Sequence, residues 1–338
     1  MLHLIRLYNT SFALHFISLL LLIGIAPIVQ AEWLKQQQDI MGTRVTVELW
    51  SKDKALALHC SQSAFDEMHR IDRLMSPYKE HSELSRVNRD AFKNPVKVSN
   101  ELYRLINQSL RISALSQGAF DITFASIGYF YDYRLHKQPD PLTIAEKLPA
   151  VNYQQLNVTN QSIQFNQSGM RIDLGGIAKG HAVDQAIVKL KKCGIGQALV
   201  SAGGDSRILG DHQGREWMIG IQHPRQKGQV ALSIPLSDSA ISTSGDYERY
   251  FLSSGQRIHH IINPKTGKSA DKSWSATVIG EDSTTTDALS TTVFILGAEK
   301  GLELINSLDG FEAIIIDATA VTHYSSGLQR PESLQSTH

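Results

Sequence analysis

The amino-acid sequence predicts an α+β protein with mixed sheets and packed helices. Strand and helix patterns both recur along the chain, but they do not alternate as strictly as in parallel α/β proteins. Apolar residues make up 42% of the 338 residues and charged residues 20%, which is typical of a packed globular protein. Basic and acidic residues number 33 each, so the formal net charge is zero. That balance argues against binding nucleic acid through bulk positive charge.

Residues 1–31 are typical of a secretory signal peptide. Arg6 is the one Lys, Arg, Asp or Glu in this segment, and an apolar stretch over residues 16–26 is followed by Pro27. Val29 and Ala31 supply the small residues that a cleavage site after Ala31 needs. An uncleaved membrane anchor is the alternative, because roughly 25 uncharged residues could just span a bilayer. We expect export, and one domain over residues 32–338.

The first half of the exported chain contains strand, helix and loop patterns. Residues 43–50 alternate between apolar and polar side chains and predict a strand. A long helix is predicted over residues 54–75, and a second over residues 99–116 with Ser99 or Asn100 as its cap. Residues 76–89 are predicted to form a polar loop, and residues 138–149, with three prolines, a surface loop.

The second half contains the helix with the strongest pattern, over residues 178–193. Its apolar residues recur at i, i+3, i+4 and i+7, and Gly194 follows as a C-terminal stop signal. A further helix is predicted over residues 287–296, with another after it. Strands are predicted over residues 197–201, 217–221, 258–262, 275–279 and 313–316.

The two cysteines exclude a disulfide-rich scaffold, and no CxxC pair suggests zinc or thioredoxin-like chemistry. Cys60 lies on the apolar stripe of the first helix, and Cys193 lies in the last turn of another. In an oxidising compartment they could pair. Spacing alone does not place them within bonding distance, so we expect two separate packed thiols, with a disulfide as the alternative.

Residues 173–180, DLGGIAKG, stand directly before the helix with the strongest pattern. Glycines let the backbone approach a ligand closely, and a helix N-terminus directs free N–H groups at an anion. Lys179 in the first turn opposes the helix dipole, which a bound phosphate would explain. Neither the P-loop spacing nor GxGxxG is present. A purely structural turn is the alternative.

Three further patterns could take part in chemistry. Asp287 and Thr291 are i and i+4 on a helix, so their oxygens could bind a hard cation such as Mg²⁺; an ordinary helix cap at Asp287 is the alternative. In a strand, His259 and His260 point to opposite faces, and one could act as a base or contact a phosphate; a structural role is the alternative. The segment GAFDIT, residues 118–123, could line a planar ligand or form a tight turn.

Taken in order, the motifs of this chain resemble those of the FAD:protein FMN transferase family, also called ApbE. The resemblance covers about residues 38–325. It rests on MGT at 41–43, MSPY at 75–78, SELS at 82–85, GAFDIT at 118–123, DLGGIAKG at 173–180, AGGD at 202–205, STSGDY at 242–247, HIINPKTG at 260–267 and DALST at 287–291.

The resemblance implies a T-fold-like α+β architecture and a periplasmic enzyme with FAD as substrate and Mg²⁺ as cofactor. It implies transfer of FMN to a threonine or serine hydroxyl of an acceptor flavoprotein, through a phosphodiester bond, with release of AMP. The implied acceptors are subunits of sodium-pumping quinone reductases, of related electron-transport complexes, and exported flavin reductases. A lipid-modified N-terminal cysteine, common in relatives, is absent here.

The resemblance also implies site residues. The metal ligands carry over as the main-chain oxygen of Gly176 and the side chains of Asp287 and Thr291, and the catalytic residues as His260 and Lys179. His260 matches the family histidine proposed to assist removal of the acceptor proton; many relatives have Asp at Asn263, which leaves the identity of the base open. The implied FAD contacts are Met41, Tyr78, Ala119, Phe120, Asp121, Asp173, Lys179, His260 and Ile261.

Two other functions remain compatible with these residues. A Mg²⁺-dependent FAD pyrophosphatase would use the same site with water as the nucleophile. A periplasmic flavin-binding protein would bind FAD without turnover. The paired Asp287 and Thr291 favour the transferase over flavin storage, because storage alone has no clear use for a metal.

Overall fold

The computed structural model describes residues 32–328, so the predicted signal peptide lies outside the described residues. Within this range, no helix has both the length and the apolar character needed to cross a bilayer. An antiparallel eight-stranded sheet runs through the centre of the fold. Its strands, in spatial order, are β1 (Glu32–Ile40), β2 (Thr43–Ser51), β6 (Ala198–Ala202), β7 (Asp205–Leu209), β10 (Ala240–Gly245), β13 (Ser273–Gly280), β14 (Glu312–Asp317) and β15 (Thr322–Tyr324).

Three small antiparallel sheets accompany the central one. They consist of β3 (Val96–Lys97), β5 (Ser162–Phe165) and β4 (Leu156–Thr159); of β8 (Trp217–Gln222) and β9 (Val230–Leu236); and of β11 (Tyr250–Ser253) and β12 (Gln256–His259). The helices are α1 (Lys54–Met75), α2 (Glu83–Asp90), α3 (Asn100–Leu115), α4 (Ala125–Gly128), α5 (Pro141–Lys147), α6 (Ala178–Lys192), α7 (Ser283–Leu296) and α8 (Ala298–Asn306).

The helices α1, α6 and α7 form a layer on one face of the central sheet. Helix α1 packs on β1 and β2, α6 on β6 and β7, and α7 on β10 and β13, while α6 touches both other helices. Alternation along β2 turns Val45, Val47 and Leu49 into the core beneath α1. The β8–β9 ribbon covers part of the opposite face through an apolar cluster that includes Ile221, Ile241 and Ile314. The expected α+β class is confirmed.

Two segments predicted as loops contain helices. In residues 76–89, Ser82 accepts the N–H of Ser85 at 2.9 Å and caps α2. In residues 138–149, Asp140 caps α5, and Pro141 occupies its first turn. Proline is well tolerated there because its missing N–H would have no helical partner. The prolines that suggested a loop therefore mark a helix start.

Two predicted boundaries were wrong, and both lie beside candidate site residues. Helix α7 begins at Ser283 rather than Asp287, because Asp282 accepts the N–H of Thr285 at 2.7 Å and caps it. The strand predicted over residues 258–262 ends at His259, where β12 stops. His260 therefore lies in the loop that follows the strand.

Cys60 and Cys193 form a disulfide, so the expectation of two separate thiols was wrong. Their Cα atoms lie 5.8 Å apart. Cys60 is on the buried stripe of α1, and Cys193 caps the C-terminus of α6. The two helices are neighbours in the helix layer, and this tertiary contact, invisible in the sequence spacing, brings the sulfur atoms together.

Candidate active site

The N-terminus of α6 meets the second turn of α7 at a very close helix contact. A Cβ atom at Gly180 would overlap the main-chain carbonyl of Ser283, so glycine is required for this approach. The N–H of Gly180 donates to the Asp287 carboxylate at 3.0 Å. The N-cap residue of α6, Ile177, makes no side-chain cap hydrogen bond, so the Asp287 carboxylate takes that place for the N–H of Gly180. The glycine turn that precedes α6 and the carboxylate on α7 are thus held on one side of a single junction.

Lys179 lies at the centre of this junction. Its Nζ atom donates to the carbonyl of Gly175 at 3.0 Å and lies 3.1 and 3.2 Å from the two carboxylate oxygens of Asp287. It also lies 2.8 Å from Oδ2 of Asp205, an ion-pair distance outside hydrogen-bond geometry. Four oxygens on three segments therefore surround one ammonium group. The lysine that was unfavourable for the α6 dipole is stabilised by these carboxylates.

Asp287 and Thr291 face the glycine turn from one side of α7. Asp287 is buried, and because Asp282 provides the cap, the interpretation of Asp287 as a helix cap was wrong. Thr291 Oγ1 lies 3.2 Å from the hydroxyl of Ser244. It also lies 3.4 Å from the place where a Cβ of Gly176 would be. The structure thus brings together all three residues that were expected to hold a metal.

The charges at the junction do not balance. Two buried carboxylates, Asp205 and Asp287, face one ammonium group, so when both are ionised the junction carries one negative charge more than Lys179 neutralises. Burial and the neighbouring Asp205 raise the pKa of Asp287 above its ordinary value. Burial alone would lower the pKa of Lys179, but the two carboxylates outweigh it and raise that pKa. A protonated lysine beside an under-compensated carboxylate pair favours one further cation.

The donor set fits a hard divalent cation. Across residues 32–328, no group of three or more His, Cys, Asp or Glu side chains has a metal-binding arrangement. A metal here would have to combine the Asp287 carboxylate, the Thr291 hydroxyl and a main-chain oxygen of the glycine turn. All are oxygen ligands, which Mg²⁺ prefers, and Mg²⁺ commonly takes its remaining ligands from phosphate and water. The excess negative charge supports the same assignment.

The two adjacent histidines differ in their surroundings. His259 is buried, with Nε2 2.7 Å from the carbonyl of Ala270 and its ring edge-on to Phe294. His260 is half-buried, and its buried Nδ1 atom has no hydrogen-bond partner among the described residues. Burial, with the cations of Arg249 and Lys179 nearby, lowers the pKa of His260 to about 3. His259 therefore has a structural role, and His260 is the histidine available to a ligand.

The segment around residues 118–123 forms one wall next to the glycine turn. The ring of Phe120 lies 3.2 Å from the place of a Gly176 Cβ. Asp121 is buried, and its carboxylate accepts the N–H and hydroxyl of Thr123 and the N–H of Tyr153. Its oxygens are therefore engaged within the protein, and they fix the turn that carries Phe120 and the buried Ala119. The predicted contact of Asp121 with FAD stays a prediction.

The remaining predicted FAD contacts are Asp173, Tyr78, Met41 and Ile261, and they stay predictions. Asp173 is half-buried and accepts the N–H of Gly175 at 2.6 Å; burial raises its pKa. Tyr78 is 81% exposed, and the charges of Asp173 and Arg249 act on its pKa in opposite directions. Met41 has a positive φ of 54° in the β1–β2 turn. Ile261, buried, follows His260.

Two residues near this site were not predicted. Asp205, the last residue of the AGGD motif, was given no role of its own, yet it is buried against Lys179. Arg249 influences the pKa of Asp173, Tyr78 and His260, which places its charge beside all three. The signal for Asp205 was its place at the end of the AGGD motif, one of the ordered motifs of the chain. Nothing in the local sequence of Arg249 points to the site.

Comparison with known proteins agrees with this geometry. The ApbE family model matches residues 41–315. The FAD:protein FMN transferase of Treponema pallidum is 31% identical over 310 residues, which cover 86% of each chain. The protein of the same name from Klebsiella pneumoniae is 31% identical over 283 residues, covering 82% of this chain and 87% of the relative.

A solved structure gives the same result for the fold. The crystal structure of the ApbE protein of Thermotoga maritima superposes with a TM-score of 0.80 at 32% identity, covering 87% of this chain and 97% of that one. The family and the enzyme predicted from the ordered motifs are confirmed. On its sequence, fold and relatives, this chain belongs to the ApbE family.

Proposed function

We propose that this protein is a Mg²⁺-dependent flavin transferase that moves FMN from FAD to a threonine or serine hydroxyl of an acceptor flavoprotein. The proposal rests on one observation above all. Lys179, Asp287 and Thr291 converge on the glycine turn at the N-terminus of α6, with one negative charge in excess. Such a junction offers a cation and helix N–H groups to a phosphate, and oxygen ligands to a metal.

The reaction requires an exchange of phosphate esters. The acceptor hydroxyl oxygen bonds to the phosphorus on the FMN side of the pyrophosphate, and the bond from that phosphorus to the bridging oxygen breaks. AMP leaves with the bridging oxygen, and the hydroxyl proton passes to a base. Lys179 would hold a phosphate oxygen, and the N-terminus of α6 would contribute its positive dipole end. Positioning and charge stabilisation dominate reactions of this kind.

Gly176, Asp287 and Thr291 would hold Mg²⁺ through the main-chain oxygen, the carboxylate and the hydroxyl. When bound, the ion would neutralise negative charge that grows on phosphoryl oxygens during transfer. The 3.4 Å between Thr291 Oγ1 and the Cβ position of Gly176 reflects how closely the turn and α7 approach. Because only the main chain of Gly176 is needed, the missing side chain does not weaken this assignment.

His260 is the candidate acceptor of the hydroxyl proton. In the ligand-free protein its low pKa makes it a weak base, because burial and the nearby cations disfavour imidazolium. An anionic pyrophosphate beside Arg249 and Lys179 would offset those cations, so we expect substrate binding to raise the pKa of His260. Its unpartnered Nδ1 atom is consistent with a group that gains a partner from a ligand.

We also propose a periplasmic location, with residues 32–338 acting as one catalytic unit after export. The Cys60–Cys193 disulfide supports this, because disulfides persist in oxidising compartments and are rare in the bacterial cytosol. An exported acceptor fits the same location. The proposed acceptors are the flavoprotein subunits of sodium-pumping quinone reductases or related electron-transport complexes, and exported flavin reductases.

The experiment is to incubate the exported chain with FAD, Mg²⁺ and acceptor domains that carry a candidate threonine. A mass gain of one FMN on the acceptor, together with free AMP, is the expected result. FMN and AMP formed at a comparable rate without acceptor would identify a pyrophosphatase instead. Tight FAD binding without turnover under any divalent metal would identify a flavin-binding protein. An acceptor variant with its threonine replaced by valine provides the control.

A further inference from the structure

We infer that Asp205 is a positioning residue that holds Lys179 over the glycine turn, in support of the proposed transfer reaction. Asp205 lies 2.8 Å from the Nζ atom of Lys179, and its side chain is only 3% exposed. The inference rests on the proposed function for its consequence in catalysis. Its structural part, the dependence of the Lys179 position on Asp205, can be measured without catalysis.

The place of Asp205 is fixed by a very tight turn. Gly203 and Gly204 join β6 to β7, and Gly203 has a φ of +62°, which favours glycine. A Cβ atom at Gly204 would overlap the main-chain carbonyl of Thr243 on β10. The N–H of Thr243 donates to the Gly204 carbonyl at 2.9 Å. Asp205 pairs with Ala202 on one side and Ser242 on the other. The backbone from which the carboxylate extends is therefore held between two neighbouring strands of the central sheet.

Within residues 32–328, Lys179 is the one cation at ion-pair distance from Asp205. The same carboxylate oxygen, Oδ2, is buried and has no other partner there. A buried carboxylate oxygen is costly unless a charge compensates it. Lys179 thus stabilises the ionised form of Asp205, and the same attraction keeps the ammonium group near the sheet.

Asp205 differs from Asp287 in what else it must do. Asp287 also accepts the N–H of Gly180 and is one of the three groups assigned to Mg²⁺. A carboxylate shared with a divalent cation attracts an ammonium group less strongly. Asp205 carries no such assignment, so it can hold Lys179 whether or not Asp287 is engaged. The junction therefore contains one carboxylate more than Lys179 can neutralise because Asp205 positions the lysine and Asp287 is assigned to the metal.

The catalytic test is Asp205→Asn, which keeps the size of the side chain and removes its charge. We expect kcat to fall about 100-fold, the effect of a misplacement of roughly 1 Å, with KM for FAD within about threefold of wild type. In a Lys179→Met background, Asp205→Asn should have little further effect on kcat, because the residue that it positions is gone. Unchanged kcat in the single variant, or additive losses in the double variant, would overturn the inference.

Asp184→Asn is the matched control for this substitution. Asp184 lies on α6, and among the described residues it accepts only neutral donors, the N–H groups of Ser283 and Thr284 and the Thr284 hydroxyl. It does not contact Lys179. We expect this variant to lower the melting temperature while kcat of the folded enzyme stays within about twofold of wild type. If both aspartate variants lost kcat in proportion to their stability, Asp205 would be a structural residue only.

Thermal unfolding without FAD or metal tests the pairing independently of activity. Lys179→Met leaves two buried carboxylates uncompensated and should lower Tm. Adding Asp205→Asn should raise Tm in that background, and by more than in the wild-type background, where the substitution also removes a partner of Lys179. An equal change in Tm in both backgrounds would refute the pairing.

The proposed function and this inference can fail separately. Wild-type protein without transferase activity would contradict the proposed function alone. An active wild type whose kcat is unchanged by Asp205→Asn would contradict this inference alone.

Discussion

The contact between α6 and α7 contains two aspartates that reach in opposite directions. Asp184 on α6 accepts two N–H groups and a hydroxyl from the start of α7, at 2.6 to 2.9 Å. Asp287 on α7 accepts one N–H group from the start of α6 and otherwise depends on Lys179. Burial raises the pKa of both. The polar groups of the helix start satisfy Asp184, whereas Asp287 interacts mainly with the charge of Lys179 and is available to a metal ion.

This difference separates a structural end of the helix contact from a functional end. Asp184 holds the start of α7 through the N–H groups of Ser283 and Thr284. Asp287 and Thr291, one and two turns later, are held against α6 and the glycine turn by contacts of their own. A fully satisfied polar group stabilises the fold, whereas an under-satisfied buried one is retained at a site where a ligand completes it. A substitution at Asp287 should therefore lower activity more than stability, and a substitution at Asp184 should lower stability more than activity.

The largest effect is expected for Asp287→Asn. We expect turnover to fall by about 1,000-fold or more, because the proposed metal loses its only carboxylate ligand and several kcal/mol of transition-state stabilisation. The unfolding free energy should change little or rise, since a costly buried carboxylate becomes a neutral amide of the same shape. FMN transfer and urea unfolding measure the two quantities. Near-wild-type turnover would refute the metal assignment.

Asp184→Ala is expected to have the opposite profile. Three donors at the start of α7 would lose their acceptor, which should cost about 1–3 kcal/mol of unfolding free energy. Turnover per folded molecule should stay close to wild type at a temperature well below Tm. Isothermal urea unfolding and an activity assay on the same sample provide the check. A kcat loss as large as that of Asp287→Asn would remove the distinction between the two ends.

The sequence predicts those parts of the fold and the site that depend on interactions between residues close in the chain. Periodicity predicts α1 at its observed bounds and α6 within one residue, because local burial determines both. The ordered motifs alone point to Lys179, Asp287 and Thr291, since each of these residues lies within a short recognisable segment. The start of α7 was placed four residues too late, because Asp282 and Asp287 are equally good caps by composition.

What the sequence did not predict depends on contacts between distant segments. The Cys60–Cys193 disulfide arises from the packing of α1 on α6, across a separation of 133 residues. Asp205 belongs to the site because a two-glycine turn places it between β6 and β10, whereas the sequence suggested only a turn. Helix α5 is the exception, because it was missed for a local reason: prolines indicate loops and helix starts alike.

The two adjacent histidines give the smallest predicted effect and a second instance of the same contrast. His259→Asn should cost stability at every pH near neutrality, because the 2.7 Å contact with the Ala270 carbonyl is lost. His260→Asn should cost little at pH 7.5, since its buried Nδ1 has no partner among the described residues. In wild type, the folded-state pKa of His260 is lowered to about 3, below the ordinary histidine value of 6.5 that holds in the unfolded chain.

The unfolded chain therefore binds a proton at His260 that the folded chain rejects between about pH 3 and 6.5. Stability from this group is present above pH 6.5 and lost as the pH falls, by about 1.5 kcal/mol between pH 6.5 and 5. Urea unfolding across this range should show a shallower pH dependence for His260→Asn than for wild type. Equal slopes would mean that His260 is solvated like a surface histidine. A bound FAD analogue should reduce the wild-type slope, because its phosphates favour the imidazolium that the free protein disfavours.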